Sequence, residues 1–135
     1  MKPVYQTITV GPLSNCLQAA IASLLELPLE DVPNFNEYSS VEWYQRMLDW
    51  FEGRGLGLLR VWEAGLSRAF SRSGYYLTTV KSPRGDFYHA MVSRNGEIVH
   101  DPYPGGNGEH NGIVSHDVIF PLDVAKWEMI GESEE

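Results

Sequence analysis

Apolar residues recur with a helical period in the first third of the chain and in short, strand-like clusters after it. The stretch "NCLQAAIASLLEL" sets Leu17, Ala20, Ile21, Leu24 and Leu25 on one stripe, which predicts a helix that buries that side. Asn15 is placed to cap it, and Gln18 three residues on imitates a capping box. Pro28 ends it, because the residue before a proline avoids the helical region. The next few residues have room for one further turn before Pro33. A second helix is predicted in "SSVEWYQRMLDWFEGRG", with Ser39 and Glu42 as a capping box and Gly53 as the stop. Its apolar face is broad, and Trp43, Tyr44, Trp50 and Phe51 read as core rather than as a ligand platform.

From Leu56 the texture changes. "LGLLRVW", "YYLTTVK", "FYHAMVS", "EIVHD" and "SHDVIFPL" are short, rich in β-branched or aromatic residues, and separated by Gly, Pro and Asn. They predict strands, with a short helix in "EAGLSRAFSRSG" between the first two. Helices gathered at the front and antiparallel strands at the back make an α+β domain, with residues 1–135 as a single unit.

A chain of 135 residues buries roughly two-thirds of the surface its unfolded form exposes, enough for one core. Ten basic against 18 acidic residues give a net charge of -8, which opposes nucleic acid and anionic membranes as partners. No apolar run is long enough to span a bilayer, and the first residues lack the apolar core of an export signal. The single cysteine has no internal partner for a disulfide, so a reducing cytoplasm is the expected compartment. The closing "GESEE" reads as a solvated tail.

That cysteine, Cys16, falls at the first position of the first predicted helix. Unpaired N–H groups and the positive dipole end favour a thiolate there. A free thiol has a pKa of about 8.5, and a helix start or a nearby imidazolium lowers it. The plain alternative is that a lone cysteine is a small buried hydrophobe. A base decides between them, and His89 is the candidate. A two-residue turn at Asn95-Gly96 pairs Arg94 with Glu97 and turns His89 and Asp101 to opposite faces. A three-residue turn with a G1 bulge pairs Ser93 with Glu97 and sets Asp101 across from His89, Cβ atoms about 5 Å apart. The second register is the expectation. Asp101 then fixes the imidazole while the other ring nitrogen faces the thiol, and His100 points away and tolerates change.

The runs "NCLQAAIASLL" and "HAMV…GEIVHDPYPGG" resemble the papain-like cysteine peptidases, above all the bacterial group that removes double-glycine leaders. "NCLQAAIASLLELPLEDVPNF" also looks like small proteins of bacteriophages and bacteria. The resemblance covers about a third of the chain. It implies a papain-like fold with Cys16 as nucleophile, His89 as general base and acid, and Asp101 as the residue that orients His89. It implies a peptide or protein substrate and no cofactor. In that family a glutamine about six residues before the cysteine completes the oxyanion hole. Here Val10 stands at that position, which leaves Gln6 as the side-chain candidate beside the backbone N–H of Cys16, with Asn15 and Gln18 as weaker substitutes.

Four histidines and two nearby aspartates raise the question of a metal. No HExxH or paired CxxC spacing supports one, and the histidines are expected to scatter over the surface. The glycine-rich run "PGGNGEHNG" follows a strand without opening a helix, so it reads as a mobile loop, placed to gate a site at Asp101. The expected activity is therefore a thiol hydrolase or acyltransferase acting on an amide, isopeptide or thioester bond. A binding protein that keeps the scaffold without catalysis, such as a phage protein engaging a host factor, is the alternative.

Overall fold

The computed structural model describes residues 1–62, 74–123 and 125, and within them the chain is α+β. The helix α1 spans Cys16–Leu25 and α2 spans Trp43–Gly53. Five strands follow: β1 Leu56–Val61, β2 Tyr75–Lys81, β3 Tyr88–Arg94, β4 Glu97–His100 and β5 Ile113–Pro121. They form one antiparallel sheet in the order β1-β5-β2-β3-β4. The expected short helix between β1 and β2 and the expected tail fall outside the described residues, Gly74 apart.

The small residues of α1 explain its place. Ala19, Ala20 and Ala22 have no exposed surface, so the helix lies close against β3 and β2 at the centre of the core. Burial extends beyond the expected stripe, since Leu17 and Leu25 are only half-buried while Ala22 and Ser23 are covered. The helix ends where Glu26 turns left-handed at φ 58°, and the N–H of Leu27 donates back to Ala22 O at 2.9 Å. A single 3₁₀ turn at Leu29–Asp31 uses the room before Pro33, and another at Phe35–Glu37 leads toward α2. Only half of the expected capping box forms: just ahead of α2 the Ser39 hydroxyl accepts the Glu42 N–H and donates to its carboxylate, while the N-cap position falls to Glu42. Gly55, at φ 77°, supplies the left-handed residue that follows the helix. Only Met47 and Phe51 of α2 are fully buried, and the helix packs against β1.

Two irregularities shape the sheet near its middle. Between β2 and β5, Thr79 pairs with Ser115 but Val80 pairs with Ile113, so Val114 is an extra residue on β5. Between β3 and β4, Ser93 pairs with Ile98 but Val92 pairs with His100, so Val99 is extra on β4. The β3–β4 turn itself corrects the expectation. It is the two-residue form, with Arg94 paired to Glu97 and positive φ at both Asn95 (53°) and Gly96 (86°). Asn95 tolerates that conformation, so the tight turn needs no third residue. The slip that puts Asp101 on the His89 face occurs at Val99 instead, three residues past the turn.

Candidate active site

Three elements bring the site residues together. Strand β4 pairs with β3 only as far as Val92, so the N–H of Ala90 is free of that ladder. The start of α1 fills the gap, and the Ala90 N–H donates to Cys16 Sγ at 3.4 Å. Cys16 is nearly buried, at 8% exposure, and faces the sheet rather than solvent. His89, one residue before Ala90, lines the same cleft as Cys16. Its Nε2 meets Asp101 Oδ1 at 2.6 Å.

Asp101 is itself held in place. Its Oδ1 accepts the backbone N–H of Tyr103 at 3.0 Å, and its Oδ2 accepts that of Gly108 at 3.1 Å. Gly106 lies so close that a Cβ there would sit 2.7 Å from the carboxyl carbon. The glycine-rich run therefore wraps the Asp101 carboxylate, and none of its residues from 104 to 112 lines the cleft at Cys16, so the expected gate is instead a clamp. The electrostatics follow from these contacts. Burial alone would keep the His89 ring neutral, but hydrogen bonds to Asp101 and Cys16, and their charges, outweigh it and raise the pKa from 6.5 to about 9. Burial likewise pushes the Asp101 carboxyl up, and the bonds from His89, Tyr103 and Gly108 more than offset this, holding it below the ordinary carboxylate range. The ring is thus favoured in its charged form, with the Asp101 carboxylate on one side and the cleft that holds Cys16 on the other.

The start of α1 departs from the expected cap. The Asn15 side chain does not cap the helix. Its Oδ1 accepts from the N–H groups of Thr7 and Ile8, and its Nδ2 donates to Thr7 and to Gln18. Gln18 donates onward to Leu29 O and Val32 O. The polar side chains expected to satisfy the helix end are spent on tying neighbouring segments, and the first N–H groups of α1, that of Cys16 included, meet no acceptor among the described residues. Gln6 is not brought to the cleft. Its backbone is tied to Pro102 O, its Nε2 donates to Ile8 O at 2.9 Å, and its buried Oε1 has no partner. Asn36 does line the cleft, its Nδ2 donating to Ser14 O at 2.6 Å.

The cleft beside Cys16 has a volume of about 460 Å³ and is walled by Leu17, Trp43, Trp62, Tyr88 and Val114. Trp43 packs against the core, as expected, and also walls the cleft. At its floor Arg60 of β1 meets Asp117 of β5 through two parallel bonds, Nε to Oδ1 and Nη2 to Oδ2, each 2.9 Å. Its guanidinium lies 4.4 Å over the Tyr44 ring. The pair is separated by 57 positions in sequence, and only the β1–β5 register, which sets Arg60 opposite Asp117, reveals it. The histidines are also not where expected, since three of the four are buried. His100 bonds Val4 O at 2.8 Å and meets Tyr5 edge-on, so it is structural rather than free to change. His116 bonds Thr78 Oγ1 at 3.0 Å, and burial holds its pKa down against the pull of Asp117. Among the described residues no cluster of three or more His, Cys, Asp or Glu is arranged to hold a metal ion, and no helix is long and apolar enough to cross a membrane. Scans against protein-family models, curated proteins and solved structures find no match to this chain.

Proposed function

We propose that the protein is a papain-like thiol hydrolase or acyltransferase in which Cys16, His89 and Asp101 act as nucleophile, acid-base and orienting residue. The observation that supports it is that His89 shares the cleft of the buried thiol while its Nε2 meets the Asp101 carboxylate at 2.6 Å. In this reading the sulfur, having given its proton to His89, attacks the carbonyl carbon of a peptide or protein substrate. The oxyanion that forms is met by the Cys16 N–H, with the Asn36 amide at the rim as a second donor in the place of Gln6. His89 then protonates the departing amine or thiolate, and a thioester remains on Cys16. Water completes hydrolysis after losing its proton to His89, and an amine in its place completes acyl transfer.

The test is alkylation of Cys16 by iodoacetamide at pH 6 and pH 8.5. An ordinary thiol, pKa about 8.5, loses roughly a hundredfold in rate between the two because only the thiolate reacts. A thiolate–imidazolium pair keeps most of its rate at pH 6. A hundredfold loss favours the second reading, a binding protein on the same scaffold, and the position of Gln6 away from the cleft is the observation on that side.

A further inference from the structure

The cleft carries a cation that the thiol chemistry does not use. Arg60 is the one fixed cation among the described residues lining it, and a quarter of its side chain remains exposed. A guanidinium has five N–H donors in a planar fork. Two are taken by Asp117. No acceptor among the described residues meets the others, which include the parallel pair along the edge between Nη1 and Nη2. That edge matches the two oxygens of a carboxylate. Asp117 on one side and the Tyr44 face beneath hold the fork at a fixed angle, so little freedom is lost when a ligand binds. The floor beside it is polar, with Thr79 and Ser115 paired across β2 and β5, while the walls are aromatic. Asp117 offsets the Arg60 charge, so what the cleft offers a carboxylate is the free, paired donors of the fork rather than a net positive field.

We propose that Arg60 is a specificity residue that binds a carboxylate on the substrate next to the acyl group attacked by Cys16. This rests on the thiol reading above and narrows the substrate to peptides with an acidic side chain or a free C-terminus near the reactive bond. The two sources share one chemistry and are separable by probe. Cys16 is alkylated by three iodoacetyl compounds, in which the sulfur attacks the methylene carbon and iodide leaves. Iodoacetyl-glycine carries a free C-terminal carboxylate, iodoacetyl-glutamic acid α-amide carries one only in its side chain, and iodoacetyl-glycinamide carries none.

The wild-type protein is expected to react about tenfold faster with at least one carboxylate probe than with the glycinamide, and the faster one names the source. In Arg60→Gln the ratio falls toward one. Arg60→Lys, which keeps a charge opposite Asp117 but loses the paired donors, lowers the ratio as well and serves where the Gln variant does not fold. A wild-type ratio near one overturns the proposal, as does a ratio that survives both substitutions. The ratio is read at pH 8.5, where any thiol reacts, so it is independent of the pH 6 rate on which the thiol reading stands or falls.

Discussion

His89 carries the electrostatic weight of the site, and its pKa of about 9 has a definite sign. The folded value lies above the ordinary 6.5, so the stability gained from the charged ring is fully present below pH 6.5 and lost as pH rises past about 9. The unfolding free energies of wild type and His89→Gln should differ most below pH 6.5 and converge above about 9, and the ring signals of His89 in an NMR titration should move near 9. A midpoint at or below 6.5 would remove the imidazolium from the mechanism. Asp101 behaves in the opposite sense, since its lowered pKa makes its contribution present above about 3.8 and lost in more acid solution. Asp101→Asn retains an oxygen for one of the two loop amides but not the charge. It should keep the fold and lower the rate by about 10² to 10⁴, whereas Asp101→Ala should also loosen residues 103–108. The positions of Cys16, His89 and Asp101 were legible in the sequence because a helix start, a strand and a strand end each leave a local mark. Arg60 was not, because its partner is named only by the sheet register. Nor were the roles of Asn15 and His100, whose side chains are committed to segments distant in sequence.

At the scale of elements, the two helices and five strands followed from the periodicity, while the placement of one extra residue did not. A G1 bulge at the turn and a bulge at Val99 put Asp101 on the same face, and hydrophobic patterning does not separate them. The tight turn prevails where Asn95 and Gly96 both take positive φ, and Tyr76 supports it by accepting the Gly96 N–H at 2.9 Å. Deleting Val99 should therefore close the bulge, with Val92 still opposite His100 and Asp101 still on the His89 face, so that turn, sheet and site all survive. Circular dichroism would show the retained strands, and alkylation at pH 6 the retained rate. Loss of fast alkylation in that deletion would mean that the twist of the bulge, and not the face alone, positions Asp101.

Across the whole molecule, residues 2–8 join the element that bears the thiol to the one that bears the carboxylate. Lys2 and Val4 bond Ser23 of α1, Thr7 and Ile8 bond Asn15, and Val4 and Gln6 bond His100 and Pro102 around Asp101. Asn15→Ala should cost about 1–3 kcal/mol of stability by leaving the Thr7 and Ile8 N–H groups unmet, measured by urea unfolding. It should also slow alkylation at pH 6, because α1 and β4 lose a common tether. A loss of stability with unchanged alkylation would confine Asn15 to the fold. The clamp on Asp101 has a further consequence. Its carboxylate binds the His89 ring and two backbone amides of a loop that lies outside the cleft, so the three bonds share one acceptor group. Deuterium uptake at the Tyr103 and Gly108 amides then becomes a distant gauge of the ring. Whatever draws His89 away from Asp101 will change the acceptor those amides feel, and their exchange rates will record it without a probe in the cleft.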